Sequence, residues 1–292
     1  LVKVLNEGSQ FTEEELLRFQ TKKQLYLYVS KDQYQNLTQQ FKSNIYSDMV
    51  FTSLERKVED QLNLSASVQE LLNNSIKTFG WSEDINELAH KNILITQAAI
   101  KSSTELESIF KWIQDEDQEY SVLHSSLLVF FTSALCSTVN FENKRASEIL
   151  ALASFFHDVS LSDHQIKNEV AFIKALKAGS KLNKEDLEII RIHPLSSIKI
   201  IEPWKHCPEE LLTVIENHHE LPDGSGFPKG VKGTEMSELT HCFIVAQFVI
   251  DLLLKFKNKE SVIKELQACE SFKAHPLSKK ISQAALDLLS TT

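Results

Sequence analysis

His218-His219-Glu220-Leu221-Pro222-Asp223-Gly224-Ser225-Gly226-Phe227-Pro228 is the stretch on which the reading of the chain turns. Two adjacent histidines close an apolar helical run, Leu211 to Ile215, and a Pro-Asp-Gly-Ser-Gly-Phe-Pro turn follows at once. Glycine is scarce, 7 of 292 residues, yet Gly224, Gly226, Gly230 and Gly233 fall within ten positions. Such clustering points to a backbone that needs positive φ or a close approach to a ligand. Imidazoles just upstream suggest a metal beneath the loop. A plain helix-ending turn after two half-exposed histidines accounts for the same residues, so the decision rests on the rest of the chain.

Upstream, Pro208 opens the helix that carries His218 and His219. Before it, Asn183 is the expected N-cap of a helix running through Leu187, Ile190 and Arg191 to His193-Pro194. Earlier still, Val122 to Cys136 is a strongly apolar helix with His124 near its start. A second apolar helix, 146–156, ends in His157-Asp158, and its residues Ile149, Leu150, Leu152, Ala153 and Phe156 make it nearly all core. A carboxylate and an imidazole at the end of such a run are costly unless paired or coordinated. A hydrogen-bonded core pair and a metal both satisfy them; an apolar scaffold with a ligand-rich end favours the metal. Downstream, His241 to Lys255 forms a further apolar helix containing Gln247, and Ser261–Cys269 and Ser278–Leu289 read as closing helices.

The ordered set His124, His157-Asp158, His193, His218-His219 therefore places each member on or at the end of a separate helix, which a bundle can gather into one pocket. One carboxylate able to bridge, surrounded by imidazoles, suits two divalent transition-metal ions, with iron foremost and manganese or zinc as alternatives. Two such ions can hold a phosphate and hydrolyse a phosphoester. His90, His164, His206, His241 and His275 read as surface or packing residues. Lys255, Lys257 and Lys259 read as a solvated face.

Composition bounds the rest. Apolar residues make up 42% and charged residues 24%, ordinary for a globular chain, and long 3.6-period runs with few Gly and Pro make it mostly α-helical. A net charge of −9 argues against DNA or an anionic membrane surface as partner. Cys136, Cys207, Cys242 and Cys269 are far apart and form no paired motif, which fits free thiols in a reducing cytoplasm. No apolar run is expected to span a bilayer and no signal peptide is visible; the chain starts without Met, so sequence is expected before Leu1. At the N-terminus, Leu1–Leu5 and Gln24–Ser30 read as strands around a helix with a Thr12/Glu15 capping box and a Phe11/Leu16 staple. Helical periodicity then runs over 33–79 and from Ser82 or Glu83 to about 113, with a break at Gly80-Trp81 and a polar loop at 114–119. The expected division is an α/β-plus-helical region of unassigned role, 1–105, followed by a helical metal-binding domain, 106–292.

From about Tyr120 to Asp251 the chain resembles an HD-GYP domain, a subgroup of the HD metal-dependent phosphohydrolases. The matching residues are His124, His157-Asp158, Leu182 to Pro194, His218-His219-Glu220 and Asp223-Gly224-Ser225-Gly226. The resemblance implies an HD-type helical bundle, a two- or three-metal site and hydrolysis of cyclic di-GMP. It implies metal ligation by His124, His157, Asp158, His193, His218 and His219, with Gln247 where the family has a late metal-binding Asp. It also implies His157 and Asp158 as catalytic residues, and Asp223, Gly224, Ser225, Gly226 and Phe227 as substrate contacts. The partners that go with it are a phosphodiester or cyclic dinucleotide ligand and a diguanylate cyclase-type signalling domain.

Four departures bear on activity. The family's Gly-Lys after the HD pair is replaced by Ser160 and Leu161, removing a lysine that would meet substrate phosphate. Its Gly-Tyr-Pro signature reads Gly226-Phe227-Pro228, removing a phenol. Trimetallic members carry a Glu four residues before the first His; Tyr120 stands there, so two ions are expected. Gln247 in place of Asp leaves Asp158 as the one carboxylate among the expected ligands, and hence an unusually electropositive centre. The expected protein is a binuclear phosphodiesterase of the cyclic di-GMP class with weakened or altered activity. The alternatives are a non-catalytic nucleotide-sensing or protein-interaction module and a phosphohydrolase with another phosphate substrate.

Overall fold

A computed structural model describes residues 58–102, 120–139, 144–162, 164–166 and 184–290, with Ser30, Gln33 and Asn36. The expected strands at 1–5 and 24–30, the Thr12 capping box, the 114–119 loop and the Asn183 cap lie outside the described residues. The chain divides into two compact units, Leu1–Asp48 and Met49–Thr292; all the helices named below belong to the second. Among the described residues there is no strand, only an isolated antiparallel bridge between Asp223 and Lys232.

Two helices, α1 (Val58–Phe79) and α2 (Glu83–Ser102), form a hairpin. Gly80, at φ 75°, makes the turn between them, and Glu83 and Asp84 place negative charge at the N-terminal end of the α2 dipole. The hairpin packs on α3 (Tyr120–Thr138), and α2 also meets α4 (Lys144–Phe156). Trp81 stacks on Trp204, with centroids 5.3 Å apart, and meets Phe156 edge-on at 5.0 Å. The aromatic cluster thus reaches the residue just before His157.

α5 (Lys184–Ile201) and α6 (Glu209–Asn217) follow, then α7 (Glu238–Phe256), α8 (Lys259–Gln267), the short α9 (Glu270–Lys273) and α10 (Pro276–Ser290). α7 starts cleanly because the Ser237 side chain accepts the Thr240 N–H, and it stops at Lys257, whose φ of 48° is left-handed. α3 and α7 pack together and against α4 and α10, so they carry the centre of the core.

The expectation that no apolar run is long enough for a bilayer is not met. α3 and α7 each have 19 residues and the hydropathy of a spanning helix. Both are enclosed by neighbouring helices, and a helix apolar on all sides is what a core position requires. α5 is a second correction. It was expected to end at His193-Pro194, because the proline ring clashes with the preceding turn and removes an N–H. The helix instead carries Pro194 inside it and continues to Ile201.

Candidate metal centre

Four helices deliver the expected ligands. α3 supplies His124; the C-terminal end of α4 supplies His157 and Asp158; α5 supplies His193; the end of α6 supplies His218 and His219. All six are buried, with relative exposures of 6% or less. They form two groups that share Asp158: Asp158, His193, His218 and His219, and His124, His157 and Asp158. A carboxylate common to both groups is placed to bridge.

Helix carbonyls orient three of these rings. His218 Nδ1 donates to Ile215 O at 2.6 Å, at the end of α6, where the last carbonyls lack helical partners. His157 Nδ1 lies 3.2 Å from both Ala153 O and Ser154 O, at the end of α4. His193 sits in mid-helix, where no carbonyl would normally be free. Pro194 has no N–H to give to Ile190 O, its i−4 acceptor, and His193 Nδ1 donates to that carbonyl instead, at 2.6 Å. The proline that was expected to end the helix creates the acceptor that aims the ligand.

A carbonyl only accepts, so each Nδ1 carries the proton and each Nε2 of the neutral ring presents a lone pair. His193 Nε2 and His218 Nε2 are 2.8 Å apart. Two neutral rings in this tautomer set lone pair against lone pair, a conflict that a shared cation removes. Two nitrogens about 2.1 Å from one ion and at right angles lie about 3 Å apart. His157 Nε2 is 3.1 Å from Asp158 Oδ2, and His193 Nε2 is 3.1 Å from Asp158 Oδ1. Even so, His157 Nε2 and both Asp158 oxygens have no partner in hydrogen-bond geometry. Buried polar atoms are rarely left so. Orphaned donor atoms at the end of α4, facing imidazoles of α5 and α6 whose tautomers are set by backbone carbonyls, fit a metal site.

The electrostatics agree. Burial pushes the Asp158 carboxyl up, but the adjoining His157, with His193 and His218 after it, outweighs that and holds it well below the usual carboxylate range. Burial presses His218 down to about 3, against the pull of Asp158, and presses His219 well below the usual imidazole value, with His218 and His193 adding to the effect. These ligands are therefore deprotonated and ready for a cation at neutral pH.

Gln247 on α7 reaches the cluster: its Nε2 is 3.5 Å from His219 Nε2, and its buried Oε1 has no partner. One helical turn on, Asp251 corrects the picture of a centre with a single carboxylate. It is 6% exposed, and its Oδ1 accepts from His124 Nε2 at 2.9 Å. Burial raises the Asp251 carboxyl despite His124; burial lowers His124, but the Asp251 bond and the Asp251 and Asp158 charges outweigh it and raise the ring. Spacing was the available signal, because an acidic residue four positions from Gln247 shares its helix face. Tyr120 stacks on His124 with centroids 6.2 Å apart, so position 120 does face the cluster.

The glycine loop closes one side. Gly224 takes φ 79°, and a Cβ on Gly226 would collide with the backbone of Glu220 and Leu221. Glu220, fully buried, accepts the N–H groups of Lys229, Gly230 and Val231 at 2.7, 3.1 and 2.9 Å. Phe227 is thereby held flat on His219, with centroids 4.6 Å apart at 15°. Ser225, Gly226 and Phe227 line the cavity beside the histidines, whereas the Asp223 carboxylate is engaged by Ser225 and Ser271. Leu161 is fully buried. His241, expected only to pack, anchors the loop by donating from Nε2 to Gly233 O at 3.0 Å.

A helical bundle that gathers buried Asp and His side chains from several helices into two groups able to hold a metal defines a class, and sequence comparison agrees: the HD domain family matches residues 125–271, and the chain belongs to that family. In fold it is similar to Bd1817, a HDG"Y"P protein from Bdellovibrio bacteriovorus, with a TM-score of 0.66, 19% identity, and coverage of 98% of this chain and 90% of that one. No curated protein sequence matches the chain.

Proposed function

We propose that this chain is a metal-dependent phosphodiesterase of the HD-GYP type, with two divalent ions, iron foremost. The observation that carries the reading is the pair of buried ligand groups sharing Asp158. One ion would be held by Asp158, His193, His218 and His219, with Gln247 beside them. The other would be held by His124, His157 and Asp158. When bound, the ions supply Lewis acidity toward a phosphoryl group and lower the pKa of water. Asp158 spans the two positions. His157, His193 and His218 are aimed by backbone carbonyls, so little reorganisation accompanies charge development. Phe227, held by the Glu220-tied loop, covers one face of the His219 ring.

Turnover of cyclic di-GMP should be slow. Leu161 is packed in the core and Phe227 offers no hydroxyl, so neither position contacts phosphate through a polar group. The same observation favours the second reading, a nucleotide-sensing module without turnover. A diguanylate cyclase-type partner and a cytoplasmic setting belong with either. The test is to load the purified chain with iron or manganese, measure metal content, and assay cyclic di-GMP beside a generic phosphodiester. About two ions and hydrolysis lost with Asp158→Asn support the enzyme. Two ions with no hydrolysis of any diester support the sensing module.

A further inference from the structure

A cavity of about 200 Å³ adjoins the histidine cluster. Its walls are Phe227, Ile244, Phe248 and Phe272, with Leu221 at the loop. Phe272 comes from α9, far beyond the residues the sequence had marked. It meets Phe248 edge-on with centroids 5.2 Å apart. Ser271 Oγ donates to Asp223 Oδ2 at 2.6 Å, which ties α9 to the glycine loop and so builds this wall.

Two features limit what fits. The first is size: a cavity of about 150 Å³ holds benzene, whereas pockets for larger ligands run from about 300 Å³ upward. The second is charge. Among the described residues, no Lys or Arg lines the cavity. Of its two carboxylates, Glu220 is bound by three N–H groups and Asp251 by His124. The Ser225 and Ser271 hydroxyls already donate to Asp223, so among the described lining residues the partners left for an anionic group are the Gln247 amide, the Gly226 backbone and a metal held by the histidine cluster. The second phosphate of a dinucleotide would meet no cationic side chain among the described lining residues.

We propose that this cavity is the subsite for one flat ring, and that the chain favours phosphodiesters carrying a single aromatic ring system over cyclic dinucleotides. This rests on the metal-dependent phosphodiesterase reading and adds the substrate class. Stacking between phenylalanine faces and edges suits such a ring.

The test is equilibrium binding of inorganic phosphate, phenyl phosphate and cyclic di-GMP to the metal-loaded full chain by calorimetry. Phenyl phosphate should bind at least tenfold tighter than phosphate. Phe248→Ala should remove most of that advantage while moving phosphate affinity less than twofold. Phe248 is only half-buried, and Phe248→Leu, which keeps bulk but not the ring, provides the milder variant if the alanine form does not fold. Phenyl phosphate binding no tighter than phosphate, or an advantage untouched by either variant, overturns the subsite. Cyclic di-GMP hydrolysed faster than a single-ring diester such as methyl phenyl phosphate also overturns it while leaving the phosphodiesterase reading in place. Ring-dependent binding with no hydrolysis of any diester supports the subsite and sinks that reading instead. Failure of all three ligands to bind overturns both.

Discussion

Pro194→Ala should weaken metal binding and at the same time stabilise the metal-free chain. A proline inside a helix costs about 3 kcal/mol relative to alanine. Here the His193 Nδ1–H already satisfies the freed Ile190 carbonyl, so part of that cost is recovered. Restoring a main-chain N–H and removing the ring clash should then return about 1–2 kcal/mol. For a chain of this size that raises Tm by about 2–8 °C. The new N–H competes for Ile190 O and draws it back toward the helix axis, so the His193 ring loses its 2.6 Å anchor. Losing a partner that orients a ligand costs about ten- to a hundredfold in metal affinity. Because the carbonyl is shared rather than deleted, the lower end is expected, about tenfold or 1.4 kcal/mol. Two measurements check this: thermal unfolding with a chelator present, and metal affinity by competition against a chelator of known strength. If Pro194 only packs, both quantities move in the same direction. Unchanged metal affinity, or a less stable metal-free chain, would refute the argument that this proline aims His193.

Asp158→Asn should drop bound metal from about two ions per chain to fewer than one, read by elemental analysis, because both ligand groups share that carboxylate. Asp251→Asn should leave the metal at the His193 side in place and weaken the His124 side, read in a metal titration as loss of affinity for one ion and not the other. Gly226→Ala should cost at least about 2 kcal/mol in denaturant unfolding, because a Cβ there strikes the Glu220 and Leu221 backbone. Acid should destabilise the metal-free chain: His218, at about 3 when folded, binds fewer protons than its unfolded form between pH 6.5 and 3, and His219 is lowered too. Stability should therefore fall with pH across that window by up to about 1.4 kcal/mol per pH unit per histidine; unfolding curves flat between pH 6.5 and 4 would refute it.

How much of this was legible in the sequence depends on the range of each interaction. Helices α3, α4, α6 and α7 showed themselves through apolar periodicity and turn residues, which are local properties. The order His124, His157-Asp158, His193, His218-His219 was visible for the same reason, since an imidazole or carboxylate on or at the end of an apolar helical run is a local pattern. The clustered glycines announced a backbone needing positive φ or close approach, and the structure places the first at Gly224 and a close approach to the Glu220 and Leu221 backbone at Gly226. Local rules also misled at Pro194, where a helix stop was expected; the missing N–H was compensated by the side chain next door, an option that propensity does not express. Asp251 went unrecognised because its partner, His124, is 127 positions away and its role exists only once α3 and α7 pack. The cavity's far wall escaped for the same reason: Phe272 becomes a pocket residue only when Ser271 meets Asp223. Sequence alone thus determined which helices form and which donor atoms they carry, because those follow from neighbours within a few residues. Tertiary structure decided which carboxylate faces which imidazole, how each ring is aimed and what shape of ligand fits beside them, because those depend on burial and contact between segments that the chain places far apart.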